Sequence, residues 1–235
     1  MLEIADEERL RSEYPALVRS PDGVAGVIAF TATYDQLSNQ FQVVPDGSVK
    51  AAGDTTLSVQ FAVRIEERRD KPISALPAVF VEGVDPIDDR HFSQMDKSAC
   101  LCSPLEEGEF LNPRFNLAYF IERLVVPFLY GQAFYTRHGR WPWTEYSHGS
   151  VGLLEAYSNI HEPARATECL RLLSQDGKAW PKVKAALQRR PHLKGHTPCF
   201  CPKGDNIRRC HPRAWRGALQ LQLQLDVRTL AISLR

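Results

Sequence analysis

The chain has 235 residues, with 29 lysines and arginines against 28 aspartates and glutamates, and 43% of its residues are hydrophobic. This length allows one medium domain with a small appendix, or two small domains. The net charge of +1 excludes a polybasic, histone-like protein, so binding to nucleic acid or to an anionic membrane would need a local basic patch.

No segment has the pattern of a membrane-spanning helix. The longest uninterrupted apolar runs are seven residues long, and one of them, residues 124–130, contains Pro127, whereas a spanning helix needs about 20 apolar residues. The first residues are acidic, unlike the cationic start of a secretion signal. We therefore expect a cytoplasmic protein that has no membrane partner.

The first 85 residues are predicted to form a helix followed by a four-stranded antiparallel meander. Apolar positions among charged ones indicate an amphipathic helix over residues 4–17. Four segments rich in β-branched and aromatic residues, separated by turn or charged residues, predict strands over residues 24–34, 40–44, 55–65 and 76–81. Residues 85–98 lack any regular period, and a loop of this length is often functional.

Helical spacing returns after this loop. Apolar residues recur on one face from Leu117 to Phe134, with Pro127 expected to kink the helix. Residues 139–152 are aromatic and contain glycine, which indicates an irregular segment. Two further helices are predicted over residues 163–173 and 180–189, whereas residues 214–234 fit both strand and helix spacing.

Six cysteines in a reducing compartment favour metal-binding or nucleophilic roles over disulfides. Cys100 ends the long loop and lies nine residues after His91. A thiolate is a strong nucleophile, and a thioester keeps an acyl carbon reactive toward an amine. Cys100 is therefore a candidate acyl carrier. Cys102 is either a core residue or an accessory thiol.

The order of these motifs resembles the ubiquitin-conjugating enzymes, in which a loop histidine precedes the active cysteine by about ten residues and a leucine follows it. The motifs that carry the resemblance are Pro77-Ala78-Val79-Phe80, His91-Phe92-Ser93 and Cys100-Leu101. Further motifs resemble divergent bacterial members of the superfamily: Leu129-Tyr130-Gly131, Gly139-Arg140-Trp141-Pro142-Trp143 and His148-Gly149. The resemblance covers roughly residues 1–160.

This resemblance implies an α+β fold of the ubiquitin-conjugating type and a thioester on Cys100. It implies an activating enzyme and a ubiquitin-like modifier as partners, with an unknown protein target, in a type of bacterial operon often devoted to antiphage defence. The matching histidine holds the loop in that family, which is the role expected for His91. The family's oxyanion donor is an asparagine, and here Ser93, Gln94 or His148 could replace it. The alternative is a catalytically silent interaction module.

Cys199, Cys201, Cys210 and His211 form a second cluster within thirteen residues. Three thiolates and one imidazole are a common shell for structural Zn²⁺, and the turn residues between the two pairs allow both to reach one ion. The spacing resembles the SEC-C motif of bacterial proteins, although Pro202-Lys203-Gly204 replaces its usual Gly-Ser-Gly. His196 is an alternative ligand. Six surrounding basic residues could dock an acidic partner protein: Lys194, Lys203, Arg208, Arg209, Arg213 and Arg216.

The sequence thus predicts three parts. Residues 1–160 form the conjugating domain, residues 161–195 a helical extension, and residues 196–235 the zinc-binding segment with a terminal element. The balanced net charge disfavours a nucleic-acid partner.

Overall fold

The computed structural model describes residues 7–45, 55–68, 74–111, 115–160, 162, 164–189 and 192–225. Their packing forms two compact units. The first unit runs to Cys102 and takes in Glu107–Glu145, whereas the second contains Ser103–Glu106 and resumes at Tyr146. The chain therefore leaves the first unit directly after Cys102 and returns to it at Glu107.

A five-stranded antiparallel sheet forms the centre of the first unit and, with the helices, confirms the α+β class. The strands are β1 (Leu17–Ser20), β2 (Gly23–Asp35), β3 (Gln40–Val44), β4 (Thr56–Glu66) and β5 (Ala78–Val81). Leu57 and Val59 are buried at alternate positions of β4, and Val63 and Ile65 repeat this alternation. One face of the strand therefore lies in the core.

The strand order differs from the predicted meander. β2 pairs with β4 over residues 23–33, with β3 over residues 31–35 and with β1 over residues 23–26. Because β4 occupies one edge of β2, β1 and β3 share the other edge, and β5 follows β4. Alternating hydrophobicity shows which face of a strand is buried but not which edge pairs with which neighbour.

The first helix is shorter than predicted. Helix α1 spans Glu7–Glu13, whereas the sequence predicted residues 4–17, of which residues 4–6 lie outside the described part. Pro15 disfavours helical geometry at Tyr14 and has no amide donor, so the helix ends before it. Leu17 then begins β1 instead of continuing the helix.

One long helical segment packs against the sheet. Helix α2 (Glu107–Phe110) precedes it, and α3 (Leu117–Phe120) continues through a π turn (Ile121–Val125) into α4 (Val126–His138). The helix thus passes through Pro127, and the π turn lies directly before this residue, which lacks an amide donor. The core side chains include Ile121, Leu129 and Phe134.

The second unit is helical. Its longer helices are α5 (Gly149–Tyr157), α6 (Arg165–Gln175), α7 (Trp180–Gln188) and α9 (Pro212–Gln224), and the single turn α8 (Ile207–Cys210) precedes α9. Helices α6 and α7 confirm two sequence predictions to within two residues. α5 begins inside the segment predicted to be irregular, and α9 resolves residues 212–224 as helix.

Two contacts hold the helices of this unit together. A Cβ atom on Gly217 would lie 1.8 Å from the carbonyl oxygen of Leu154, so glycine permits the close approach of α9 to α5. The buried side chain of Gln222 accepts a hydrogen bond from the backbone N–H of Leu193 and donates to the carbonyls of Leu187 and Arg189. It therefore satisfies carbonyl groups at the C-terminal end of α7.

Within the described ranges, every helix is too short or too polar to traverse a lipid bilayer. The packing divides the chain after Glu145, whereas the sequence predicts the first domain boundary at residue 160. The division into residues 1–160, 161–195 and 196–235 stays a prediction.

Candidate functional site

The loop after β5 forms a narrow hairpin that ends at Cys100. Phe92 bridges to Ala99, and both side chains are buried. The backbone N–H of Ser93 donates to the carbonyl of Ser98 at 2.8 Å. Beyond the bridge, the N–H of Cys100 donates to the carbonyl of His91, also at 2.8 Å. The buried pair therefore anchors the hairpin while Cys100 is exposed.

Burial separates Cys100 from the other cysteines. All six lie in described residues, none forms a disulfide, and Cys100 alone is exposed. Cys102 is half-buried and packs against the core of the first unit. Cys169 is fully buried in α6, and this burial, together with the nearby charge of Glu168, raises the pKa of its thiol to about 12. Cys100 is thus the thiol best placed for reaction with a large partner.

The start of the loop is fastened to α4 by two side chains. The Arg90 Nε donates to Gln132 Oε1 at 2.9 Å, and the Gln132 Nε2 donates back to the Arg90 carbonyl at 2.7 Å. The guanidinium of Arg90 also donates to Thr136 Oγ1. Gln132 is fully buried, so this reciprocal pair fixes the loop where it leaves a short 3₁₀ turn, Asp88–Arg90.

The His91 side chain lies among residues that follow α4. Its ring centroid is 4.9 Å from that of Trp141, and its Nε2 is 3.7 Å from Glu145 Oε2. The backbone of His91 has a φ of 55°, in the left-handed region. The carbonyl of this residue holds Cys100, whereas its ring packs on Trp141. Sequence reasoning did not identify Glu145, which is 54 positions away.

Ser93 takes part in the internal bonding of the loop. Its hydroxyl oxygen accepts from the backbone N–H groups of Met95 at 3.2 Å and Asp96 at 3.5 Å. Burial opposes ionisation of Asp96, but hydrogen bonds from Ser98, Ser93 and Arg68 lower its pKa to about 2. The oxyanion role of Ser93 stays a prediction, and Gln94 is exposed beside it.

The structure therefore brings His91, Ser93 and Cys100 together on one loop. His148 belongs to the second unit, where it is exposed and occupies the N-cap position of α5. Its side chain makes no capping hydrogen bond. A catalytic role for His148 stays a prediction.

Cys199, Cys201, Cys210 and His211 form a group that could hold a metal ion, with their ligand atoms within 4.8 Å of one another. The Cys199 Sγ lies 3.2 Å from His211 Nδ1, and the Cys201 Sγ lies 3.6 Å from Cys210 Sγ. Bonds of about 2.0–2.3 Å in a tetrahedral shell separate the ligand atoms by about 3.3–3.8 Å. One of the two separations lies in this range and the other just below it, so this donor set fits a four-coordinate metal ion.

Local backbone structure explains this convergence. Pro198 bridges to Asn206, and the N–H of Cys199 donates to the carbonyl of Asp205 at 2.7 Å, which closes a hairpin around the first two ligands. Gly204 turns this hairpin with a φ of 69°, a conformation that favours glycine. Cys210 ends α8, and His211 lies between α8 and α9.

The thiols of this group influence one another. Burial raises the pKa of Cys199 to about 12. Burial opposes ionisation of Cys201, but hydrogen bonds from the backbone N–H of Gly204 and from the thiol of Cys210 lower its pKa. Burial and the bond to Cys201 raise the pKa of Cys210. Bringing three ionised thiols together thus requires a cation that displaces their protons.

The group formed by Cys199, Cys201, Cys210 and His211 packs against the core of the second unit. Cys199, Phe200 and Ile207 are buried in the same cluster as Ala214 and Leu221 of α9. The surrounding surface is basic, because residues 192–225 contain six lysines and arginines against the single acidic residue Asp205. His196, the alternative ligand considered above, is exposed.

No protein-family model, curated protein or solved structure matches this chain. The chemistry of both sites therefore rests on their own residues.

Proposed function

We propose that this chain is a ubiquitin-conjugating-like transferase that carries a ubiquitin-like modifier on Cys100. The observation that carries this proposal is the exposure of Cys100, alone among six cysteines, at the end of a hydrogen-bonded loop. The resemblance of the loop motif to ubiquitin-conjugating enzymes supports it. A rigid, exposed thiol suits acyl transfer between macromolecules, because both the donor and the acceptor must reach the sulfur.

The reaction has two acyl transfers. In the first, the Cys100 thiolate attacks the C-terminal thioester of the modifier on an activating enzyme, forms a new thioester and releases the cysteine thiolate of that enzyme. In the second, a target amine attacks the Cys100 thioester, forms an amide bond, loses its proton to solvent and releases the Cys100 thiolate. An oxyanion donor stabilises the tetrahedral intermediate, and Ser93 or Gln94, on the same loop as Cys100, would serve here. In this scheme His91 holds the loop.

We also propose that Cys199, Cys201, Cys210 and His211 hold a structural Zn²⁺. These four side chains would supply all the ligands of a four-coordinate ion, so no position would stay open for a substrate. Bound zinc would supply the positive charge that keeps the three thiols ionised. The chain's own residues orient the ligands, through the hairpin around Cys199 and the short α8. In this proposal the metal takes no part in the acyl transfer.

The test of the transferase is a charging reaction with cognate activating enzyme, modifier and ATP. We expect a thiol-sensitive adduct on the wild-type chain. Cys100→Ser should give a thiol-resistant oxyester or no adduct, whereas the matched Cys102→Ser variant should still charge. An adduct that survives in Cys100→Ser as a thioester and is lost in Cys102→Ser would move the nucleophile.

A second candidate function is a catalytically silent interaction module. The basic surface around Cys199, Cys201, Cys210 and His211 favours it. Lys194, Lys203, Arg208, Arg209 and Arg216 are exposed, so the second unit offers a positive surface to an acidic partner protein. This module would capture its partner equally well in wild-type and Cys100→Ser forms, and less well at high salt. Charge reversal at Arg208 and Arg209 would then abolish capture. The cytoplasmic location and the place in an antiphage operon belong to the proposed transferase function.

A further inference from the structure

Arg68, two residues beyond β4, reaches the loop that ends at Cys100. Its Nη1 donates to Asp96 Oδ2 at 2.5 Å, and its Nη2 donates to Ser98 Oγ at 2.7 Å. Its Nε donates to the carbonyl of Leu76 at 3.2 Å, just before β5. The side chain of Arg68 is only 11% exposed. One guanidinium therefore joins the end of β4, the start of β5 and the loop.

The two loop residues bound by Arg68 are themselves joined. Asp96 Oδ1 accepts from the backbone N–H of Ser98 at 3.1 Å and from its hydroxyl at 2.8 Å. Ser98 is fully buried, so its polar groups depend on these partners. The planar fork of an arginine can bond to both residues at once, whereas a lysine ammonium has neither its shape nor its number of donors.

The connection from Ser98 to the reactive thiol is short. The next residue, Ala99, is buried and donates its N–H to the carbonyl of Val79 in β5 at 2.7 Å. Cys100 follows and donates to the carbonyl of His91. Displacement of Ser98 would therefore move the backbone on which the thiol stands.

We propose that Arg68 is a positioning residue for Cys100, acting through Asp96 and Ser98 to hold the loop in the geometry that acyl transfer requires. This inference rests on the proposed function, because it concerns the same thiol. Arg68 does not touch the reacting atoms in this scheme. Its effect is preorganisation: a misplacement of about 1 Å in a reacting group can cost about 100-fold in rate.

The test uses Arg68→Lys, which keeps the charge and loses the fork, in a Cys102→Ser background with zinc bound. Arg64→Ala is the control, since Arg64 lies in β4, four residues before Arg68, with its guanidinium over the ring of Phe80 and not in the loop. We expect Arg68→Lys to slow discharge of the Cys100 thioester to free lysine by roughly 10- to 100-fold at a temperature where the variant is fully folded. Arg64→Ala should discharge at the wild-type rate.

Asp96→Asn and the double variant Arg68→Lys/Asp96→Asn complete a cycle. If the two residues act as one unit, the double variant should be no slower than the slower single variant. Losses that multiply, or a wild-type discharge rate in Arg68→Lys, would overturn the inference. A loss that merely tracks the unfolded fraction would also overturn it, because that is the result expected of a purely structural residue.

Two readouts need no modifier and separate this inference from the proposed function. Hydrogen exchange of residues 93–100 should accelerate in Arg68→Lys but not in Arg64→Ala, with the rest of the first unit unchanged. The rate at which iodoacetamide alkylates Cys100 should change in the same variant, because the surroundings of the thiol have changed. If wild type never charges, the transferase proposal fails. Accelerated local exchange would still show that Arg68 holds the loop, and equal exchange would refute it.

Discussion

At Cys100 the thiol is exposed, at Cys169 it is buried in α6, and this difference in burial decides which of the two can act as a nucleophile. The side chains that hold the Cys100 loop come from several parts of the first unit. Arg68 follows β4, Gln132 belongs to α4, and Glu145 and Trp141 follow that helix. The first unit thus presents its exposed thiol on a loop restrained from three sides.

At the residue scale, we expect His91→Ala to lower both thermal stability and discharge from Cys100. The variant loses the packing on Trp141, a kind of contact worth about 0.5–1.5 kcal/mol, and alanine tolerates the φ of 55° less well than histidine does. Thermal unfolding and the pH profile of discharge measure these effects. His91→Asn is the matched variant, because asparagine tolerates this backbone conformation. Full stability with an altered pH profile would instead identify His91 as a base.

Asp96 gives a second prediction at this scale, concerning pH. Its folded pKa of about 2 lies below the unfolded value of about 3.9, so its contribution to stability is fully present above about pH 4. The contribution is lost as pH falls through the folded pKa. The melting temperature of the wild type should therefore exceed that of Asp96→Asn by a constant difference from pH 5 to 8, and this difference should shrink below pH 4. A margin independent of pH down to 2 would show that the carboxylate is not held by the loop.

At the element scale, features that depend on residues close together in sequence were predicted better than contacts between distant residues. The ligand spacing at Cys199 and Cys201 is local in sequence, and the structure groups these residues with Cys210 and His211 as predicted. The bonds of the Cys100 loop join residues far apart in sequence, such as Arg90 with Gln132, and no spacing rule reports them. The pairing of β2 with β4 was not predicted, because it too joins residues far apart in sequence. Helix α5 was not predicted, because its glycines indicated an irregular segment. In the structure, Gly152 packs closely against the carbonyl of Ser147.

The close approach of α5 and α9 predicts that Gly217→Ala destabilises the second unit. An added Cβ would lie 1.8 Å from the Leu154 carbonyl oxygen, so the helices must separate, at a cost of about 1–3 kcal/mol. Gly177→Ala is the matched control, because a Cβ there meets nothing within 4 Å. Chemical denaturation followed by Trp fluorescence measures the difference. Equal stability of the two variants would contradict the packing of α9 on α5.

At the scale of the whole molecule, the two units have separate cores, and the segment that follows Cys102 belongs to the second one. Leu105 is fully buried among residues of that unit, and the guanidinium of Arg165 donates to its carbonyl oxygen. Tyr146 donates from its hydroxyl to Glu106 Oε1 at 2.8 Å. Residues 103–106 should therefore unfold with the second unit, although they interrupt the sequence of the first.

Metal removal tests this division. We expect one zinc per chain in the wild type and none in Cys199→Ser/Cys210→Ser, because zinc in small isolated fingers contributes on the order of 10 kcal/mol. Hydrogen exchange in the variant should accelerate across the second unit, including Leu105 and Glu106, while the sheet of the first unit stays protected by its own buried residues. Elemental analysis and the matched Cys102→Ser variant, which should keep its zinc, provide the controls.

A wild-type chain without metal would contradict the zinc proposal, and simultaneous unfolding of both units would show that they do not fold independently. If the first unit stays folded but Cys100 no longer forms the thioester with the modifier, we infer that the second unit takes part in recognising the activating enzyme, as its basic surface permits.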